Sequence, residues 1–473
     1  MTKTTTETFK DVGSHFALAP FEPIIQPIIN DVLKEHGKEK YRKGTILTPC
    51  LLIWLCIALT FRRSLNYSKT LSWLLSGFRW KFLNFTQSIV KDSAISHARL
   101  KMGVDVFRSI FNRFVSTFQN APMPDFYGFI TVMFDGTSLT MPDTQSNCNK
   151  FGKHKSGRGY GAFPQMRVLA LMTLTARRII DIAYAPYKGK KTGEKTLMFQ
   201  ILKRCPKDKR LFLFDAGFYS FNLAYYMYQY GLQYILKIAT SVKLKPIAGS
   251  HMPDGSYLAK IQGKIVTRVN PENGRKTWTK IEIQVRVIHF CFPGFRPVRL
   301  ITSLSDSAIN AIEIVKHYHK RWDIEIAFDE IKTRQCATLK GQMPTIFRSK
   351  HCELVEQELY ALLITYNLIR SLIKEATEVK NADPLLISFT ETLALIIECA
   401  PNMSAYTGNK KKQKRTFLLQ MIAEAKIDRP RRQRRNPRVV KIKMSNFKRK
   451  RSTDKSECTN FMQDVKIIYQ KAA

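Results

Sequence analysis

Through the first quarter of the chain, apolar residues recur at intervals of three and four. "PIIQPIINDVLKEHG", "TLSWLLSGF" and "VFRSIFNRFVSTF" each place their hydrophobic positions on one side of a 3.6-residue repeat, and no strand-like alternation interrupts them. This pattern predicts an all-helical segment over residues 1–125. "CLLIWLCIALTF", residues 50–61, is apolar all round, but its dozen or so positions fall short of the roughly 20 that a membrane span needs, so it predicts a buried helix. "DSAISHARLKMGVDVFRSIF" has the outline of a helix-turn-helix, with Asp92 or Ser93 as a cap and Gly103 at the turn; any αα-hairpin shares that outline.

From residue 126 the texture changes. "FYGFITVMFDG", "QMRVLALMTLT" and "RIIDIAYAPY" are short runs rich in β-branched and aromatic residues, and "RLFLFDAGF" and "LQYILKIATS" follow, separated by the helix-like "EKTLMFQILKRC" and "SFNLAYYMYQYG". Three strands, a helix, a strand, a helix and a strand predict a mixed α/β sheet with helical cover, in a domain spanning 126–372. Between about 240 and 300, "MPDGS" and "NPENGRK" punctuate two long alternating runs, which reads as a β-rich insertion. Residues 373–473 form a helical and basic C-terminal region.

Charge narrows the function. The chain carries 77 Lys+Arg against 37 Asp+Glu, a formal charge of +40. Such an excess calls for an acidic partner, and a polyphosphate backbone gains affinity by releasing condensed counterions. The densest stretch is 410–451, with 18 basic residues against Glu424 and Asp428. It is either a solvated end or a DNA contact. "MTKTTTETFKDVG" lacks the apolar core of a secretory signal, so the protein is expected in the cytoplasm, on nucleic acid rather than at a membrane. Nine cysteines without C-x-x-C spacing suit a reducing compartment and exclude a finger-like zinc site; His154, His317 and His319 lack companion ligands and are expected at the surface or facing DNA. "KFGKHKSGRGYGAF", residues 150–163, lacks the strand and helix context of a nucleotide-binding loop and reads as a hairpin turn or a DNA-tracking connector.

One helix-like stretch, "YHKRWDIEIAFDEIK", aligns chemistry. At about 100° per residue, Tyr318 at zero puts Arg321 near ~300°, Glu325 near ~340° and Lys332 near ~320°, with Ile324, Phe328 and Ile331 beside them for packing. Trp322 borders the stripe, as a core residue or as a ring for stacking an extruded base. Two aspartates each close an apolar run, Asp135 in "VMFDGTS" and Asp215 in "LFLFDAGF". Rigidly held carboxylates with Glu325, or with Asp329 as competitor for the third position, provide the oxygen donors a divalent cation prefers, and a pair of such ions suits in-line displacement at phosphorus. Asp before Gly is equally ordinary turn chemistry.

Tyr318, Arg321, Glu325 and Lys332 reproduce in full the spacing of the Tyr-Arg-Glu-Lys signature, and the chain here resembles the bacterial insertion-sequence transposases of the DDE class, in the branch named for insertion sequence four. The likeness extends through "DGTSLTMPD", "AFPQMRVLAL", "DAGFYS", "VRLITSLSD", "QELYALLITYNLIR" and "NPRVVKIKMSNF", and "ILTPCLLIWLCIALTFRRSLNYSKTLSWLL" is similar to that branch's N-terminal domain. The resemblance implies a ribonuclease-H-like catalytic core interrupted by the β-rich insertion, and a helical N-terminal DNA-binding domain. It implies that Asp135, Asp215 and Glu325 bind two Mg²⁺ ions, with Mn²⁺ as a substitute, while Tyr318, Arg321 and Lys332 grip phosphates. The expected partners are the double-stranded ends of the element and target DNA, with a homodimer bridging both ends. The expected activity is end cleavage by phosphodiester hydrolysis and joining of the 3′ ends to target DNA. The alternatives are a metal-dependent nuclease that cuts without joining, and a DNA-binding regulator derived from a transposase.

Overall fold

The computed structural model describes residues 16–42, 45–77, 90–119, 123–335, 345–427, 434–435 and 459–469, apart from positions 158, 188, 270, 272, 274 and 293–296. In chain order come helices α1 (Glu22–Glu35), α2 (Pro49–Phe61), α3 (Tyr67–Leu74), α4 (Asp92–Met102) and α5 (Asp105–Gln119). Then follow β1 (Ile130–Thr140), α6 (Gln145–Phe151), β2 (Lys153–Ser156), β3 (Gly159–Thr173), β4 (Ile179–Pro186), α7 (Glu194–Arg204), β5 (Arg210–Phe214), α8 (Phe221–Gln229) and β6 (Gln233–Ile238). Next are β7 (Lys245–His251), β8 (Tyr257–Val269), β9 (Lys276–Cys291), β10 (Val298–Thr302), α9 (Ala311–His319), α10 (Asp323–Asp329), α11 (Cys352–Val379), α12 (Phe389–Met403) and α13 (Gly408–Glu424). The predicted mixed α/β architecture is present. Of the basic stretch 410–451, residues 410–427 and 434–435 are described, the former largely within α13, while "NPRVVKIKMSNF" lies outside the described residues.

The chain forms two compact units. The first comprises residues 1–123, 135–205 and 324–427. Its axis is α11, buried along most of its 28 residues and packed against α2, α5 and α13. Helix α2 forms as its sequence predicts: Thr48 caps it by accepting from the Leu51 N–H at 3.3 Å, Pro49 opens the first turn without wasting a donor, and nearly every side chain is buried. Helix α4 ends at Gly103, whose φ of +78° favours glycine. The cap position is Lys91, one residue before the expected Asp92, which instead accepts from the Ser68 N–H at 2.9 Å. Arg99 in the last turn of α4 is fully buried and donates to Gln357 Oε1 at 3.2 Å, Tyr67 OH at 3.0 Å and the Leu354 carbonyl at 3.1 Å. That charge holds α4 to α11 and is spent inside the protein. Strands β3 and β4 form an antiparallel ladder from Met166↔Pro186 to Met172↔Ile179, and β2 and β3 form the hairpin read from "KFGKHKSGRGYGAF". Asn367 of α11 clamps the start of β4, accepting from Ile179 N–H at 3.0 Å and donating to Ile179 O at 2.8 Å.

The second unit comprises residues 124–134, 206–323 and 428–473. The first half of β1 runs parallel to β5, with Ile130 opposite Arg210 and Met133 opposite Leu213, and β5 runs parallel to β6. Strand β10 then pairs antiparallel with β6 and β9, and β8 and β7 complete the row. The β-rich stretch read from the sequence thus extends the same row of strands as β5 and β6. Gly263 on β8 makes room for α8, since a Cβ there would stand 2.1 Å from the Phe221 ring. Among the described residues no helix is long and apolar enough to cross a membrane.

Candidate active site

Asp215 follows the fully buried run Arg210–Phe214 directly. It opens a 3-10 turn, Ala216–Phe218, yet its side chain makes no capping hydrogen bond to that turn. Turn chemistry therefore does not consume the carboxylate, which is half-buried. Beneath it the Phe214 ring stacks on Phe134 at 5.4 Å and 10°, with Phe212 and Phe218 alongside. The close of β5 is thereby held by a packed aromatic cluster.

Asp135 differs from its sequence reading in one respect. It does not end a strand: β1 continues to Thr140, its first half buried and residues 135–138 half-buried. The reason lies in "GTSLT", whose β-branched residues suit continued pairing. Asp135 Oδ1 accepts from the Gly136 N–H at 2.8 Å. A Cβ at Gly136 would lie 2.5 Å from Glu194 Oε1, so glycine permits a close approach there, and the visitor is a carboxylate at the first position of α7. Nothing in the pattern around Glu194 pointed to that neighbour, because α7 is brought to β1 only by the fold.

The signature stretch is not one regular helix. Helix α9 gives way to a 3-10 turn at Lys320–Trp322, α10 follows, and Glu330–Gln335 winds as a π-helix. A uniform 100° advance does not survive those changes of pitch. Tyr318 and Arg321 are buried, at 6% and 4% exposure, where side chains open to phosphates were expected. The Tyr318 hydroxyl donates to the Phe214 carbonyl at 3.1 Å and accepts from the Arg321 guanidinium; burial pushes its pKa up, so it stays neutral. Trp322 is 36% exposed, with the Arg321 guanidinium 4.9 Å from its ring centroid. Glu325 is exposed on α10, and Asp329 pairs with Arg334 at 3.6 Å. Ile324, Phe328 and Ile331 are buried as read from the pattern.

Lys332 is half-buried and donates to Thr137 Oγ1 at 3.0 Å. Thr137, two residues beyond Asp135, is a partner the sequence reading missed. Glu330 anchors the π turn from below: it pairs with Arg370, accepts from Tyr366 OH at 3.1 Å and lies 3.6 Å from Arg177. Arg370 and Tyr366 belong to "QELYALLITYNLIR", so that motif supports the signature rather than reacting.

His317 corrects the surface assignment. It is buried, bonded to Thr131 Oγ1 at 2.6 Å and stacked on Phe126 at 4.0 Å, and burial drives its pKa down to about 3. His319 stacks on Phe461 at 3.6 Å, and His154 stands edge-on to Tyr187. All three histidines have aromatic neighbours within the protein.

The carboxylate set offers only hard oxygen donors, which fit a divalent cation of the Mg²⁺ kind. Among the described residues no group of three or more His, Cys, Asp or Glu side chains is gathered closely enough to hold a metal ion. The donor chemistry is present in Asp135, Asp215 and Glu325.

Comparison with known proteins bears on the same residues. Residues 128–368 match the model of the transposase DDE domain, and residues 20–112 match that of the insertion element 4 transposase N-terminal region. The chain is 26% identical over 424 residues to the transposase InsG for insertion sequence element IS4 of Escherichia coli strain K12, covering 88% of this chain and 89% of that protein. It is 26% identical over 147 residues to the putative transposase InsZ of the same strain, covering 30% and 48%. Among solved structures, a piggyBac transposase synaptic complex with hairpin DNA aligns over 88% of this chain and 87% of that one, with 13% identity and a TM-score of 0.43.

Proposed function

Because the chain belongs to the DDE transposase family, in the branch of insertion sequence four, and is a transposase dependent on a divalent metal and acting on DNA, we propose that Asp135, Asp215 and Glu325 are its catalytic acids. The observation that carries this is the parallel ladder of β1 and β5. Met133 stands opposite Leu213; Asp135 follows two residues later within β1, and Asp215 two residues later, immediately past β5. Parallel neighbours run in the same direction, which favours two carboxylates serving one centre. The parallel β1, β5 and β6 support a ribonuclease-H-like core, with β7 to β9 as its insertion and residues 1–125 as a DNA-binding domain.

The reaction has two parts. Water attacks the phosphodiester at the end of the element and expels a 3′-hydroxyl; that hydroxyl then attacks a phosphodiester of the target, forming one P–O bond as another breaks. A pair of Mg²⁺ ions, or Mn²⁺ in their place, would supply charge stabilisation at phosphorus and an acidified water when bound. The three carboxylates hold those ions. Lys332, half-buried in the π turn, offers a point charge to a phosphate, and the buried Arg321 contributes a second positive charge of the signature. Trp322 presents its ring at the surface for stacking against a base. A homodimer holding both ends of the element completes the reading.

The test is incubation of the protein with the DNA flanking its own gene and Mg²⁺, followed by sizing of the products. Transposition predicts cleavage at the element's ends together with joined strand-transfer species. Linear products without joining would replace this reading with a nuclease, and intact DNA would replace it with a regulator.

A further inference from the structure

We propose that Tyr318 is a positioning residue for Asp215, acting through the Phe214 carbonyl, and that Arg321 reinforces it through the tyrosine hydroxyl. The inference rests on the assignment of Asp215 as a metal-binding acid and deepens it. Four observations support it, all within the second unit. The Tyr318 hydroxyl donates to the Phe214 carbonyl at 3.1 Å, the last peptide oxygen before Asp215. The β1–β5 register reaches Met133↔Leu213 and the β5–β6 register reaches Phe214↔Leu236, so Asp215 lies just past the paired residues of β5. Tyr318 is 6% exposed and Arg321 4% exposed, so both groups are enclosed by protein. The Phe214 ring is already fixed on Phe134 and Phe212, so the hydroxyl adds the restraint that side-chain packing cannot give, on the rotation of the peptide that carries Asp215.

A neutral phenol suits this task. It donates to the carbonyl while its oxygen accepts from the Arg321 guanidinium, so the three groups form a chain running from the signature stretch to the strand end. Groups behind a ligand commonly matter nearly as much as the ligand itself, because they set its orientation.

The experiment uses the full chain, Tyr318→Phe, Asp215→Ala, and Tyr257→Phe as a control that removes another buried hydroxyl of the same unit, the one facing His289. Three quantities are measured: amide exchange over the peptide 210–217, Mn²⁺ affinity by spin resonance without DNA, and affinity for the element's end. Tyr318→Phe should speed exchange at the close of β5 and weaken Mn²⁺ binding on the order of 10-fold, with end affinity unchanged and the control unaffected in all three. Unaltered exchange and Mn²⁺ affinity would overturn the proposal, as would a loss confined to DNA affinity, which would make Tyr318 a phosphate contact. If Asp215→Ala bound Mn²⁺ as the parent does, the metal assignment of Asp215 would fall on its own, and the exchange data would still decide whether Tyr318 restrains the strand end.

Discussion

At the scale of single residues, the choice between Glu325 and Asp329 is open to direct test. Asp329 pairs with Arg334 on the surface, and Glu325, exposed on α10, holds the glutamate place in the signature spacing. Glu325→Ala should abolish strand cleavage with end binding retained, and Asp329→Ala should leave cleavage within a few-fold of the parent; cleavage surviving the first change in Mg²⁺ would refute the assignment. Lys332 donates to the Thr137 hydroxyl, a neutral partner that does not offset its charge. Lys332→Ala should lower the slope of log affinity for end DNA against log salt by about one, and an unchanged slope would remove the phosphate contact.

At the scale of elements, the π turn matters because it carries Lys332 and is pinned by a buried ionic cluster. Removing one partner leaves the other charge stranded away from water. Arg370→Ala should therefore cost about 3–5 kcal/mol in urea unfolding, through exposure of that imbalance at Glu330. The other buried titratable element is α9, where His317 stacks on Phe126. Its folded pKa of about 3 lies below the ordinary 6.5, so the unfolded chain takes up a proton over that interval and the folded chain does not. Stability should fall as pH drops below about 6.5, with a limiting slope of about 1.4 kcal/mol per pH unit for one proton. Two neighbours set the limits of that window. Lys320 pushes the His317 pKa in the same direction as burial, and Asp125, raised by its own burial, responds in the opposite sense. Urea midpoints between pH 7 and 5 should decline in the parent and flatten in His317→Gln; parallel curves would show that the imidazole is not the source.

At the scale of the molecule, an excess of +40 sets how the protein meets DNA before any base is read. Counterion release makes affinity fall steeply with salt, by about 0.9 of a logarithmic unit per phosphate neutralised. Replacing Arg429, Arg431, Arg432, Arg434 and Arg435 by Gln should flatten that dependence by at most about 4 to 5 and weaken binding to unrelated duplex, while end cleavage persists at low salt. Titrations across a salt series decide it, and superimposable slopes would assign the arginine run no part in DNA contact. The charge is not uniformly available, since Arg99, Arg286 and Arg370 are buried and bonded inside the protein.

The sequence by itself determined the helical opening, the alternation of strands and helices from 126, the excess of positive charge and the spacing of the signature. Each is a local matter: periodicity, β-branching and charge are written residue by residue. The tertiary structure alone decided that β1 runs on through Asp135, that Glu194 comes to Gly136 and Thr137 to Lys332, that His317 is buried and that the signature stretch changes pitch twice. These depend on which strand pairs with which and on where buried charges find partners. Such pairings join residues far apart in the chain, at separations such as 195 for Lys332 and Thr137, over which no repeat or propensity carries information.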